Sequence, residues 1–352
     1  MTIRYGIIGT GMMGCEHIRN LFAIDGVTIT AIADPVEQSR SRARKVCGTR
    51  FTPTMYSNYE QLLGRDDIDA IVVASPNYTH IDVMRRVFQT KKHVMLEKPM
   101  CTTISDSKEL VASAKLHPGI VWIGLEYRYM SPIAAMLREL NGIGKIHMCV
   151  IREHRFPFLK KVNDWNRFNR NTGGTLVEKC CHFFDLMTQV IPSDPVLVFA
   201  SGGQDVNHLD ELYNGEVPDI IDNAFVIVEF ANGARAMLDL CMFAEGSRHE
   251  QQITVTGDVG KIETTVPGDQ LILSNRTDNN FKSIQIKPDP RVKEEGLHHG
   301  ASYLEHLGFL NAIRNGTPPL VTARDGLMSV VLGVAAQQSI EFARPIKVNE
   351  LV

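Results

Sequence analysis

The apolar run Tyr5-Gly6-Ile7-Ile8 leads into Gly9-Thr10-Gly11-Met12-Met13-Gly14, and an acid, Asp34, closes the next apolar run. No other stretch constrains the fold as strongly. A strand ending in a glycine-rich turn lets backbone N–H groups approach a pyrophosphate at the positive end of the following helix. Gly9 permits the tight turn, Gly11 removes the side chain the phosphates would hit, and Gly14 lets helix and strand pack closely. Thr10, Met12 and Met13 belong to the same candidate nucleotide contact. The second strand, 27–33, delivers Asp34 twenty residues past Gly14. A carboxylate there can accept hydrogen bonds from both adenosine ribose hydroxyls. Its charge would repel a 2′-phosphate, so NAD is expected over NADP, although Ser39, Arg40 and Arg42 lie close enough to weaken that preference. The bland alternative is a glycine-rich turn with no ligand. The full order of strand, turn, helix, strand and acid argues against it.

Further apolar runs at 70–74, 93–96 and 120–124 alternate with helix-patterned stretches near 13–24, 36–46, 78–89 and 104–116. That alternation means βαβ units and a doubly wound parallel sheet. From about residue 145 the texture changes. Longer strands are expected at 145–155, 196–204, 220–230, 234–244, 249–256 and 260–265, with Asn232-Gly233 as a two-residue hairpin turn. The fold class is therefore α/β: an N-terminal Rossmann domain over 1–125, then an α+β domain over 126–352 with an open, mainly antiparallel sheet. In the pair joined by the hairpin turn, Ala224, Val226, Val228 and Phe230 share one face, and Phe225 and Ile227 the other. A sheet apolar on both faces needs two covers. One would be a helix near 175–190, the other a second subunit or a return helix of the same chain. Helical periodicity marks 301–315 and 323–341, which could pack back on the N-terminal domain, and 275–300 reads as a polar loop.

At 352 residues the chain suits two domains. A net charge of −3 gives no reason to expect a nucleic acid or an anionic membrane as partner. The seven cysteines are an odd set without CxxC spacing, which fits reduced thiols better than a disulfide framework. No apolar run approaches the roughly 20 residues of a membrane helix, and the first strand begins almost at once, leaving no room for a signal peptide. A cytoplasmic protein is expected. The twelve histidines are scattered apart from His298-His299.

The strand ends carry the candidate chemistry. Ser75-Pro76-Asn77-Tyr78-Thr79-His80 follows the third predicted strand, either as a capped βα loop or as a cofactor contact through Ser75, Asn77 and His80. Glu97-Lys98-Pro99 follows the fourth. A lysine there is costly to bury without a partner, and Glu97 could supply one. Lys98 reads equally as a donor to a substrate oxygen or as a loop lysine. Downstream, Glu178, His182 and Asp185 are spaced four and three apart, which predicts one helix face. A histidine beside a carboxylate is the usual proton-transfer arrangement. A structural helix with a satisfied histidine is the alternative, and a metal reading through Glu178, Cys181, His182 and Asp185 lacks an established ligand spacing. No metal is expected.

Taken together, these segments resemble the Gfo/Idh/MocA family of nicotinamide-dependent oxidoreductases. The matching residues are Gly9 to Gly14, Ala33-Asp34-Pro35, Ser75-Pro76-Asn77 with His80, Glu97-Lys98-Pro99, Arg128-Tyr129 before Pro132, Trp165, Gly173-Gly174, Glu178 with His182 and Asp185, and Val255 to Gly260. The resemblance implies a Rossmann domain and a sheet domain often paired through that sheet, giving a homodimer or homotetramer. It also implies oxidation or reduction at a carbinol carbon of a sugar, inositol or related polyol. Lys98 and His182 inherit the roles of the residues flanking the reacting carbon, with Glu178 beside them. Tyr127, Arg128 and Trp165 become candidate substrate contacts, and Glu97 a cofactor contact. Two other readings stay open: an NAD-dependent glycoside hydrolase of the same family, and a nucleotide-binding regulator without turnover. The chain departs from the family pattern at Glu178, commonly Asp, at Lys179, commonly apolar, and at Cys180 and Thr172, commonly Gly.

Overall fold

The computed structural model describes residues 2–352 and divides into two compact units. The first comprises Met1–Tyr129, Lys161–Trp165 and Pro290–Leu327. Its strands are β1 (Ile3–Ile8), β2 (Val27–Ala33), β3 (Thr54–Tyr56), β4 (Ala70–Val73), β5 (His93–Glu97) and β6 (Val121–Gly124), and its helices α1 (Met12–Ala23), α2 (Glu37–Cys47), α3 (Tyr59–Leu63), α4 (His80–Val87) and α5 (Ile104–Leu116). All pairings are parallel, in the order β3-β2-β1-β4-β5-β6. Strands β4 and β6 are buried throughout, as a parallel sheet covered on both faces requires. The strand order reverses between β1 and β4, and in such sheets ligands bind beyond the carboxyl ends at that point. Strand β3 escaped the apolar pattern because its three residues, Thr-Met-Tyr, are exposed or half-buried.

The second unit comprises Met130–Lys160, Asn166–Asp289 and Met328–Val352. It opens with α6 (Ser131–Glu139) and β7 (Ile146–His154), followed by three helices, α7 (Asn169–Thr172), α8 (Thr175–Glu178) and α9 (Cys181–Val190). The strands β8 (Pro195–Gly203), β9 (Asn223–Phe230), β10 (Arg235–Cys241), β11 (Gln251–Gly257), β12 (Gly260–Val266), β13 (Gln270–Asn275) and β14 (Asn280–Gln285) come next. With the short β15 (Ile346–Lys347) they form a nine-stranded sheet, β14-β13-β12-β11-β7-β10-β9-β8-β15. Only the β7–β10 pair is parallel. The remaining pairs are antiparallel.

The hairpin forms where Asn232-Gly233 predicts it. Phe230 and Ala234 close the register, so the loop holds three residues instead of two, with Gly233 at φ +84°. Strands β13 and β14 lie across the start of the expected 275–300 loop. β14 is an edge strand, exposed at nearly every position, so no alternating pattern betrayed it.

One face of the large sheet is closed. Ala224, Val226, Val228, Ala236, Leu238 and Leu240 are buried, with α6 against β12 and β13 and α9 against β7. The opposite face is open, with Phe225 60% and Ile227 40% exposed.

The helix expected over 175–190 is interrupted. The Cys180 N–H bonds to the Thr175 carbonyl at 3.4 Å, a longer step than the regular one, and the α9 pattern restarts at Cys180. Its regular acceptor, the Leu176 carbonyl, lies against Gly333 so closely that an added Cβ there would sit 2.6 Å from it. Gly333 belongs to α11 (Ala323–Phe342), which follows α10 (Ala301–Asn315). Glu178 therefore ends one helix and His182 belongs to the next, which corrects the expectation that they share a single helix face.

Candidate active site

In the first unit the glycine-rich turn has the geometry its sequence requires. Gly9 adopts φ +85°, and a Cβ at Gly14 would sit 2.1 Å from the Gly9 carbonyl oxygen. No other group lies within 4 Å of where a Gly11 Cβ would be, so the turn is open above α1. Gly11 caps α1 without a side-chain bond to the helix N–H groups, which fits a pyrophosphate at that terminus. Asp34 is buried at the end of β2. Its carboxylate accepts from the Thr10 N–H at 2.7 Å, from Thr10 Oγ1 at 3.1 Å and from the Val36 N–H at 2.8 Å. It thus braces the turn. Arg40 donates to the Asp34 carbonyl and pairs with Glu37, which engages one of the two arginines named beside Asp34 in sequence.

Asp34→Ser should raise the Kd for NADH about ten- to a hundredfold, the worth of a charge-assisted bond, and narrow the preference over NADPH. Fluorescence titration with both nucleotides measures it. An unchanged ratio would remove Asp34 from nucleotide discrimination.

Ser75, Asn77 and His80 follow β4. Asn77 is buried, whereas His80 lies wholly inside, its Nε2 3.0 Å from the Ser75 carbonyl and its Nδ1 2.9 Å from that of Pro99. Burial holds its pKa below the ordinary value, so a neutral ring donates to one of them. His80 links the loops after β4 and β5, tying Ser75 to the Glu97-Lys98-Pro99 turn.

Glu97 ends β5 and is buried, while Lys98 is half-buried. Burial pushes the Glu97 carboxyl up, yet His17 and the charges of Lys98 and His298 outweigh it and hold the pKa below the ordinary value. Its Oε1 lies 2.8 Å from His17 Nε2, and its Oε2 accepts from the Lys98 N–H at 3.1 Å. His17 Nδ1 in turn lies 2.9 Å from His306 Nε2. A second cluster surrounds His298, whose Nδ1 is 3.0 Å from Glu16 and whose Nε2 is 3.5 Å from Glu126. His17, Glu16, Glu126, His298 and His306 are the residues that reading along the chain missed. The His298-His299 pair was the one visible hint.

Burial lowers the His298 pKa, but Glu126 and Glu16 outweigh it and raise the value above the ordinary one, about 6.5. Burial raises Glu16, but the His298 bond outweighs it and lowers the value. A raised histidine stabilises the fold fully below its unfolded pKa and loses that contribution as pH rises through the folded one. A lowered carboxylate contributes above its unfolded pKa and loses that contribution as pH falls through the folded one. The melting-temperature gap between wild type and His298→Gln should therefore be widest between about pH 5 and 6.5 and shrink above. A gap that widens toward pH 9 would contradict this.

Tyr127 is buried, and Arg128 donates to the Leu320 carbonyl at 3.0 Å and lies 3.4 Å from Asp325. Trp165 packs edge-on to Tyr78 at 6.2 Å, with Lys161 4.5 Å over its ring.

In the second unit Glu178, His182 and Asp185 are each at most 2% exposed. Gly173 and Gly174 adopt φ +82° and +89° before α8. Thr172, where the family commonly has glycine, accepts the Gly174 N–H at 2.9 Å and steadies that entry. Lys179 is not stranded in place of an apolar residue: its Nζ lies 2.9 Å from Glu153, which is fully buried on β7. Arg155 sits 3.4 Å from the same carboxylate. Lys179→Met should cost about 1–3 kcal/mol in denaturant unfolding, the penalty for a buried group losing its partner. A stability gain would mean that the ion pair is the less favourable arrangement. Among the described residues, no group of three or more His, Cys, Asp or Glu side chains could hold a metal ion, and no helix is long and apolar enough to cross a membrane.

Two family models match the chain. One, an oxidoreductase-family NAD-binding Rossmann fold, covers residues 3–125, and the other, an oxidoreductase-family C-terminal alpha/beta domain, covers 139–348. Among curated relatives, myo-inositol 2-dehydrogenase of Thermotoga maritima is 28% identical, spanning 99% of this chain and 100% of that protein. The scyllo-inositol 2-dehydrogenase (NAD(+)) of Bacillus subtilis is 24% identical, spanning 99% and 96%. Among solved structures, levoglucosan dehydrogenase with NADH and levoglucosan superposes with a TM-score of 0.87 over 99% of this chain and 100% of that one, at 19% identity. With the nucleotide turn in place and both family models matched, the chain belongs to the Gfo/Idh/MocA oxidoreductase family and carries its NAD-binding Rossmann domain.

Proposed function

We propose that this chain is an NAD-dependent dehydrogenase of a sugar, inositol or related polyol, with Lys98 and His182 acting on the same carbinol. The observation that carries the reading is the paired setting of Glu97 and Lys98 at the end of β5, beside a turn suited to a dinucleotide. The inositol dehydrogenases among the relatives support the substrate class. NAD, when bound, supplies the hydride acceptor. Lys98 Nζ donates to the substrate oxygen and offsets the negative charge that develops there. His182 takes the hydroxyl proton on its imidazole as general base. Glu178 orients that imidazole or holds a neighbouring hydroxyl. Asp34, Thr10, Ser75 and Asn77 serve the nucleotide, and Tyr127, Arg128 and Trp165 serve the substrate side. The test is Lys98→Met on whichever polyol the enzyme oxidises: kcat should fall about 10²–10³-fold with NADH affinity retained. Unchanged turnover would exclude Lys98.

A second reading has its own support. Relatives in Mediterraneibacter gnavus and Escherichia coli, 25% and 26% identical, are named 2,7-anhydro-N-acetylneuraminate hydratase. On this second reading oxidation in this chain is transient, as the resemblance to the family's NAD-dependent glycoside hydrolases implies. Product formation without net NADH would select it.

We also propose that a second copy of the chain covers the open face of the large sheet. Phe199, Ile227, Met237 and Val150 stand opposite one another across β8, β9, β10 and β7. Such a row is apolar and able to pair with itself under two-fold symmetry. Phe225→Glu with Ile227→Glu should halve the mass or more by light scattering, and an unchanged mass would place the interface elsewhere.

A further inference from the structure

Helix α8 is a single turn of four residues, Thr175–Glu178, too short to hold itself by its own hydrogen bonds. The Glu178 N–H bonds to the Gly174 carbonyl at 2.8 Å, and the Val177 N–H to the same oxygen at 3.0 Å. The place of Glu178 therefore depends on how the Gly173-Gly174 segment is held. Both glycines adopt positive φ, and neither has a side chain of its own to restrain it. The peptide between them is gripped at both ends. Its carbonyl, that of Gly173, accepts the Gln337 side-chain N–H at 2.8 Å. Its N–H, that of Gly174, donates to Thr172 Oγ1 at 2.9 Å. A Cβ on Gly174 would overlap the Gln337 amide, so only a bare residue there admits the contact. Thr172 comes from the adjoining turn, whereas Gln337 reaches in from α11, 164 residues along the chain.

The C-terminal part of α11 is a firm base for that contact. Val331, Leu332 and Ala335 are buried, and so is Ser339, which accepts the Ala200 N–H of β8 at 2.9 Å and donates to the Arg344 carbonyl at 2.8 Å. Gly333 and Gln337 stand four apart on α11 and so share one face. Gly333 lies against the Leu176 carbonyl and Gln337 bonds that of Gly173, so this face meets α8 and its entry at two points. The far end of α8 is tied to β7 through Lys179 and Glu153. None of these anchors is a group that the proposed reaction uses.

We propose that Gln337 is a positioning residue: by locking the Gly173–Gly174 peptide from α11 it sets how α8 sits, and with it the place from which Glu178 serves the reaction. The inference rests on Glu178 acting beside His182, but its first readout needs no substrate. Gln337→Met keeps the length of the side chain and removes the donor. In the full-length protein, hydrogen–deuterium exchange of the peptide carrying Val177 to Lys179 should speed up about three- to tenfold, the worth of one hydrogen bond, with the peptide over β10 unchanged. Gln337→Glu keeps the shape but turns a carboxylate oxygen toward the Gly173 carbonyl, so it should exchange at least as fast as the methionine variant. Wild-type exchange in either variant, shown to be native by thermal melting, would overturn the proposal, and the methionine variant alone decides if the glutamate one does not fold. Kinetics on the polyol then separate positioning from general loosening. Gln337→Met should lower kcat about three- to tenfold in the wild-type background, but within about twofold when Glu178→Gln is already present, because the two act as one unit. Where Glu178→Gln lowers kcat, equal losses from Gln337→Met in both backgrounds, or none in either, would overturn the positioning role. If exchange rises while Glu178→Gln keeps the wild-type kcat, Gln337 still holds α8 and the part given to Glu178 in the reaction falls.

Discussion

Replacing His182 by alanine is expected to lower kcat by about 10²–10⁴-fold, the usual contribution of a positioned general base. NADH affinity should stay near the wild-type value, because the substitution leaves the glycine-rich turn and Asp34 as they are. The drop should appear in kcat and kcat/KM together, since the imidazole acts on a proton that moves only as the reaction proceeds. His182 is 2% exposed, so the variant also leaves a cavity. Circular dichroism and melting therefore accompany the kinetics, and His182→Gln, closer in volume, should show the same kinetic loss with less thermal cost. Glu178→Gln should lose less, since Glu178 acts through His182 or on a neighbouring hydroxyl. A native His182→Ala enzyme with unchanged kcat would remove His182 from the mechanism.

Gly14→Ala should abolish NADH binding and destabilise the first unit. The added methyl would sit 2.1 Å from the Gly9 carbonyl oxygen, and the atom in the way is backbone and cannot rotate aside. Helix α1 must then move away from β1, which costs about 1–3 kcal/mol as overpacking and withdraws the N–H groups from the pyrophosphate. Gly11→Ala is the control. Its methyl meets no protein atom within 4 Å, so stability should hold while nucleotide affinity falls. Calorimetric titration with NADH separates the two. Loss of stability in Gly11→Ala, or normal binding in Gly14→Ala, would contradict the role assigned to the turn.

The first sheet was legible because strands such as β4 and β6 are buried on both faces and read as short continuous apolar runs between helix-length gaps. The nucleotide turn was legible because glycine is needed there for reasons local to the chain. The outer part of the second sheet was not. Strand β14 is held by its pairing with β13 while its side chains face solvent, so it carries the composition of a loop. The break between α8 and α9 was invisible for another reason. Lys179 and Cys180 keep right-handed helical backbone angles, and only the displaced bond from Cys180 marks the interruption. Its cause, the approach of Gly333, lies more than 150 residues away.

The candidate site divides the same way. Glu97 and Lys98 are adjacent in sequence and could be singled out at once. The buried histidines behind them could not, because His17 stands 80 residues before Glu97 and His306 another 289 residues beyond His17. Lys179 illustrates the converse. In sequence it reads as a charged departure from the family's commoner apolar residue, and the structure gives it Glu153 as a buried counter-ion.

The central claim is that this chain oxidises a polyol carbinol with NAD. The most direct measurement is NADH absorbance when the purified protein meets NAD and a panel of inositols, aldoses and sugar acids, with Lys98→Met run in parallel. The account predicts steady NADH formation with at least one cyclic polyol, faster with NAD than with NADP, and nearly absent in the variant. Binding of NADH without turnover of any panel member, or turnover that the Lys98 variant retains in full, would contradict it.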